Sequence, residues 1–241
     1  MSTAQAIPFF SGGRQFLFDE KSHTCWDEHG KVIPSVTQIL TEMNYSNYAI
    51  VEQTNPLALE RKRQIGKLVH QAAHYFDIGD LNEERDVDPW PVVKRRLGGY
   101  KQFRVDTGYV PLINESRYIF ETFGMRYTGQ IDSLGTIGRR WALVDIKNAS
   151  GAAQRSWGLQ ECAYEEGIKG LIRAGRFPVP LTPEQSTGIL SGPLLKIIPQ
   201  LFDDGTYKLY TSDDPKSKVF YPEDLRVWQS ALCIVLDKRN H

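Results

Sequence analysis

The order of sequence signals predicts an α/β (α+β) fold, with a central mixed sheet that contains an antiparallel hairpin and is flanked by helices. Three observations carry this reading. Apolar residues recur at helical spacing from Ile65 to Phe76; two strand-like runs, 127–132 and 141–147, are separated by Gly138; and no longer-period repeat recurs along the 241 residues. With 41% hydrophobic residues the chain can build one sizeable core, so a single domain over 1–241 is expected, with an N-terminal strand-turn-helix segment at about 14–45.

From Arg14 to Ile33 short strand signals alternate with turns: Gln15-Phe16-Leu17-Phe18, then Thr24-Cys25-Trp26, then a Glu28-His29-Gly30 break, then Lys31-Val32-Ile33. Pro34-Ser35 stops this meander. Ser35 with Gln38 three residues on is a capping-box pattern and starts a helix through Val36, Ile39 and Leu40. A polar stretch follows over 44–55, and Ile65, Leu68, Val69, Ala72, Ala73 and Phe76 then mark a longer helix ending near Gly79. Residues 82–91 are acidic and contain proline, which predicts a loop. A helix over 92–103 carries Lys94, Arg95 and Arg96 on its polar side. Strands are expected at 118–120, 127–132 and 141–147, a helix over 157–174, a proline-punctuated loop, strands near 189–195 and 207–210, and a closing helix over 222–236.

Composition excludes more than it assigns. Cys25, Cys162 and Cys233 are widely spaced and form no Cys-x-x-Cys pair, which argues against a disulfide framework and against a four-cysteine metal site. No stretch approaches the roughly 20 apolar residues of a spanning helix, and the opening Met1-Ser2-Thr3-Ala4-Gln5 lacks a basic, then apolar, leader, so no membrane partner and a cytoplasmic location are expected. Twenty-nine basic residues balance 29 acidic ones, so contact with nucleic acid would need a local basic face.

In Trp141-Ala142-Leu143-Val144-Asp145-Ile146-Lys147, strand alternation puts Ala142, Val144 and Ile146 on one face and Leu143, Asp145 and Lys147 on the other. A tight turn at Gly138-Arg139 sets Asp132 opposite Asp145. Two facing carboxylates are costly to bury without a counter-charge. A divalent cation held by oxygen ligands would supply it, with Lys147 beside it, which is a layout suited to phosphodiester cleavage. An Asp-x-Lys triplet alone is a common cross-strand charge pattern; the flanking residues change the balance.

Taken together, Gly129-Gln130-Ile131-Asp132, Asp145-Ile146-Lys147, and Gln160 with Tyr164 one helical turn apart resemble the signature of the PD-(D/E)XK nucleases, in particular the RecB-like exonucleases of phages and bacteria. Gly66-Lys67-Leu68-Val69-His70 matches the helical G-x-x-x-H of that branch, and Gly30-Lys31-Val32-Ile33-Pro34-Ser35-Val36-Thr37 is similar to the N-terminal segment of phage members. The resemblance implies that Asp132, Asp145 and the Ile146 carbonyl hold Mg²⁺ or Mn²⁺, that His70 adds a ligand and that Lys147 serves the water. It also implies that Gln160 and Tyr164 brace the site or touch the phosphate. The family's acidic strand residue falls on Glu115 or Glu121; Glu115 is preferred, because its distance from Asp132 leaves room for a hairpin. Family branches with an iron–sulfur cluster use four cysteines, so none is expected here.

Other readings compete at several of these positions. His70 and His74 have zinc-ligand spacing, but Gln71 stands where a metalloprotease helix needs glutamate, and His74 reads as a surface or packing residue. Gln160 and Tyr164 share a helix face with Trp157, a spacing usual for core, although their polar ends are not what an apolar core selects. Arg61, Lys62, Arg63 and Lys67, and the Lys94-Arg95-Arg96 run, read either as solvated helix faces or as contacts to a DNA backbone. The expectation is a Mg²⁺- or Mn²⁺-dependent exonuclease acting on DNA in phage or bacterial recombination, repair or processing, with a single-strand annealing or other recombination protein as a possible partner. The alternatives are a structure- or site-specific endonuclease and a non-catalytic DNA-binding module.

Overall fold

A computed structural model describes residues 6–11, 13–20, 22–45, 56–122, 124–149 and 151–240. These residues form an α+β architecture with a mixed five-stranded sheet, a smaller four-stranded sheet and seven helices.

The small sheet is an antiparallel meander of β1 (Ile7–Ser11), β2 (Arg14–Asp19), β3 (Thr24–Trp26) and β4 (Val32–Ile33). Phe16, Phe18, Cys25 and Ile33 alternate onto one face and pack on Ile119 of the large sheet. Strand β1 extends the expected meander at its N-terminal end. Ser35 caps α1 (Val36–Glu42) through the expected reciprocal pair with Gln38. Thr128 N donates to Pro34 O at 2.9 Å, so the cap is tied to the large sheet.

The helices α2 (Pro56–Ile78), α3 (Glu83–Asp86) and α4 (Pro91–Thr107) follow. Gly79, at φ 74°, ends α2 where the sequence placed its stop, because a left-handed residue costs glycine little. The turn of helix at α3 falls inside the stretch expected to be all loop. Of the expected polar stretch 44–55, residues 46–55 lie outside the described residues.

The large sheet has the order β5 (Tyr109–Thr122), β6 (Met125–Ile137), β7 (Arg140–Val144), β8 (Leu195–Leu201), β9 (Tyr207–Thr211). All neighbours are antiparallel except β7 and β8, which run parallel and are joined through α5 (Arg155–Arg173) and α6 (Pro183–Leu190). The β6–β7 ladder pairs Ile137 with Arg140 and Ser133 with Val144, the register expected from a turn at Gly138-Arg139. Closing helix α7 covers Asp224–Asn240.

One expected strand is corrected. Residues 189–195 are not a strand: Ile189 and Leu190 end α6, which starts at a Thr182/Gln185 capping box with Pro183 in its first turn, and only Leu195 enters β8.

Helices cover both faces of the large sheet. On one, α1, α5 and α7 bury Ile131, Leu134 and Leu143. On the other, α2 and α4 cover Ala142, Val144 and Ile146. The predicted alternation of the 141–147 run therefore decides which residues enter which core.

Candidate metal centre

The site forms where β5 and β6 run on past the end of their pairing with β7. Glu115 and Asp132 are opposed there in a gap of the β5–β6 ladder, which resumes at Asn114–Ser133 and Ser116–Ile131. Glu115 sits at φ 46°, a left-handed backbone that non-glycine residues rarely adopt and that concentrates at functional positions. From α2, His70 brings Nδ1 to 3.1 Å from Glu115 Oε1 and 3.3 Å from Asp132 Oδ1. One ligand atom from each of these three residues lies within 4.8 Å of the other two.

Each carboxylate is held from behind. Asp132 Oδ2 accepts from Ile146 N at 2.7 Å, and Glu115 Oε2 accepts from Gln130 Nε2 at 2.5 Å. Burial works to lower the His70 pKa, but the charges and hydrogen bonds of Asp132 and Glu115 outweigh it and raise it well above the ordinary 6.5 of an imidazole. Without a metal, an imidazolium is the cation between the two acids. A nitrogen donor with two carboxylates is a donor set that also suits a hard or borderline divalent ion such as Mg²⁺ or Mn²⁺.

Asp145 and Lys147 stand beside this trio as a pair. Lys147 Nζ lies 2.5 Å from Asp145 Oδ2 and donates to Gln160 Oε1 at 2.9 Å; Gln160 Nε2 donates to Tyr164 OH at 2.8 Å. Asp145 is 3% exposed. Burial raises its pKa, which Lys147 opposes and Asp132 reinforces, while the two aspartates raise that of Lys147 against its own desolvation. Gly129 is required by the same assembly, since a Cβ there would collide with the Tyr164 ring.

The placement of the remaining expected site residues is mixed. Of the expected acidic ligands, Glu115 and Asp132 join His70 in the compact trio, while Asp145 stands beside them paired with Lys147 at 2.5 Å. Of the two acidic candidates on β5, Glu115 joins the trio, whereas Glu121 pairs with Arg176 at 3.2 Å. The Ile146 side chain belongs to the core and its N–H serves Asp132. Trp157 packs in a separate cluster with Ile198 and Val219, not with the Gln160–Tyr164 pair. His74 packs against Tyr75.

The basic residues divide in the same way. Arg61 and Lys62 are exposed, Arg63 lies near Glu60 at 3.8 Å, and Lys67 bonds Glu20 of the β2–β3 turn at 3.0 Å. The Lys94-Arg95-Arg96 run is not one solvated face. Arg96 is buried, with bonds to Asp203 and to Asn148 O; Arg95 bonds Asp203 O; Lys94 pairs with Asp88. Successive helical residues diverge by about 100°, so three in a row cannot share a face.

Sequence reasoning missed two residues here. Glu161 is fully buried on α5 and neither carboxylate oxygen has a hydrogen-bond partner among the described residues; burial, reinforced by Asp145 and Asp132, raises its pKa well above 4.5. Arg117 is two residues beyond Glu115 on the same strand, the alternation that puts both on one side of β5, and it donates to Gln130 Oε1 at 2.8 Å. Set against known proteins, the sequence matches no protein-family model and no curated protein.

Proposed function

We propose that the protein is a metal-dependent deoxyribonuclease with a PD-(D/E)XK-like core, acting as an exonuclease in DNA recombination, repair or processing. The observation that carries this reading is the juxtaposition of the His70–Glu115–Asp132 trio with a lysine fixed by Asp145, Gln160 and Tyr164. A structural ion-pair network has no need of an acid-rich trio beside a separately neutralised lysine. A Mg²⁺ or Mn²⁺ ion held by His70, Glu115 and Asp132 would polarise a phosphoryl oxygen and acidify water.

The chain's own residues do the rest. Displacement of the His70 proton frees Nδ1 as a donor, while the Ile146 and Gln130 N–H groups keep the two carboxylates aimed. The Lys147 ammonium, pinned at the end of the Gln160–Tyr164 brace, offers positive charge to the phosphate as negative charge accumulates during attack. Gly66, on α2 one turn before His70, has nothing within 4 Å of where a Cβ would stand, which leaves room for a strand to approach the helix backbone.

Digestion of end-labelled linear DNA and covalently closed circular DNA, with Mg²⁺, with Mn²⁺ and with chelator, tests the proposal. Metal-dependent loss of the linear form alone is the expected result. Nicking of the circle would make the protein an endonuclease, and no cleavage of either form in either metal would overturn the assignment.

A further inference from the structure

Arg117 is a half-buried cation with no anionic partner: among the described residues its hydrogen bond is to the neutral Gln130 amide, and no carboxylate lies within ion-pair distance. Its guanidinium lies 3.6 Å from the centroid of the Phe18 ring, on β2 of the small sheet. The stack covers one flat face of the fork, and Gln130 engages Nη2 alone, so most of the five donors of the guanidinium are left along its edge. The nearest acids are occupied elsewhere, Glu20 with Lys67 and Glu115 with His70 and Gln130. Through Gln130 the fork is one residue removed from Glu115.

A desolvated guanidinium that is pre-oriented by stacking and left without a counter-ion is poised for a planar or tetrahedral oxyanion. We propose that Arg117 binds a phosphate group of the nucleic-acid strand whose reactive phosphodiester lies at the His70–Glu115–Asp132 trio, with Phe18 of the small sheet as its platform. This rests on the nuclease reading and adds the small sheet to the substrate site. The phosphate oxygens belong either to the continuous backbone or to a strand terminus.

The test is fluorescence anisotropy of labelled oligonucleotides with and without a terminal phosphate, in Ca²⁺ and over a salt series, on wild type, Arg117→Ala, Arg117→Lys and Phe18→Leu. Mn²⁺ calorimetry on the same proteins reports whether the trio is intact. Arg117→Ala is expected to weaken DNA binding at least about tenfold and to make the logarithmic salt slope shallower by about one, with Mn²⁺ affinity within about twofold of wild type. Arg117→Lys should restore the slope and only part of the affinity. Phe18→Leu, which keeps the charge, should weaken binding with the slope unchanged and serves if the alanine variant does not fold. A loss confined to oligonucleotides with a terminal phosphate places that group on the fork; an equal loss with both places a backbone phosphate there.

Unchanged affinity and slope in Arg117→Ala, from a wild type that binds and cleaves DNA, would overturn the inference and leave the nuclease reading standing. Loss of Mn²⁺ affinity with unchanged DNA binding would reduce Arg117 to a prop for Glu115. A wild type that neither binds nor cleaves DNA would overturn both.

Discussion

Two clusters of acids and bases tie helices to the large sheet, and they are built on opposite terms. Around Glu165 the charges close on themselves: Oε1 accepts from Lys169 at 2.6 Å and from Leu194 N at 2.9 Å, and Oε2 from Lys196 at 2.7 Å. Burial alone would raise the Glu165 pKa, but the two lysines and the Leu194 N–H bring it below the ordinary value. Around His70 there are two carboxylates and one imidazole, so even a protonated ring offsets only one of the two negative charges. A cluster that satisfies itself is structural. One that keeps an excess of acid could take up a cation, and the proposed metal site rests on that contrast.

The largest expected contrast comes from single isosteric changes in each cluster. Asp132→Asn should lower Mg²⁺-dependent cleavage at least about a hundredfold, with stability within about 1 kcal/mol of wild type. Glu165→Gln should leave cleavage nearly intact and cost about 1–3 kcal/mol, because two partially buried ammonium groups lose their shared counter-charge and one of its two acceptor oxygens. Single-turnover cleavage and denaturant unfolding on both variants check this, and equal cleavage in the two would erase the distinction.

Lys147 sharpens the comparison, since it is neutralised like a staple yet faces the trio. Lys147→Ala should retain or strengthen Mn²⁺ binding, as a neighbouring positive charge is lost, while single-turnover cleavage slows by about a hundredfold or more. Lys147→Arg should rescue poorly, because the guanidinium is too large and planar for the slot between Asp145 and Gln160. Calorimetry together with rapid-quench cleavage measures the two effects separately.

A smaller effect separates the clusters by pH. The folded His70 pKa is raised, so the stability that its ion pairs contribute is fully present below the unfolded value of 6.5 and is lost as pH rises through the higher folded value. Metal-free protein should therefore lose thermal stability across that window, and Mn²⁺ affinity should climb across it as the competing proton leaves. Thermal melts and calorimetry over a pH series read both, and a His70→Gln variant should flatten the two profiles. The smallest effect is expected at Glu161. Burial favours the neutral carboxyl there, so Glu161→Gln should shift stability by less than about 1 kcal/mol between about pH 5 and 8. A large loss on unfolding that variant by denaturant would mean that the buried group is ionised.

Local rules made much of this legible. The Ser35–Gln38 cap, the stop at Gly79, the register about Gly138 and the two-faced alternation of the 141–147 run are each set by residues close in sequence, and each appears in the structure. What escaped depends on distant partners. Ile189 carries strand propensity, but the Thr182 cap and Pro183 start a helix that buries Ile189 in the main core. The Lys94-Arg95-Arg96 run reads as solvent-facing until residues 203 and 148, far along the chain, supply Arg96 with acceptors. The register about Gly138 carries Asp145 toward Asp132 as expected, yet register does not set which cation pairs with a buried acid, and Lys147 does so at 2.5 Å. Arg117 carried no motif; only its stack on Phe18, nearly a hundred residues earlier in the chain, makes it noticeable.

The backbone at Glu115 has a consequence for how this protein can change. A φ of 46° is held comfortably by glycine or asparagine and costs a residue such as glutamate about 1 kcal/mol. Position 115 is therefore one where the backbone and the carboxylate call for different amino acids. Asparagine or glycine would relax the left-handed backbone there but would forgo the contacts that the carboxylate makes with His70 and Gln130. Such a chain would keep its cores and its Asp145–Lys147 pair and lack one arm of the trio. Glutamate at 115 thus sets a local backbone cost against interactions that reach a helix and a neighbouring strand.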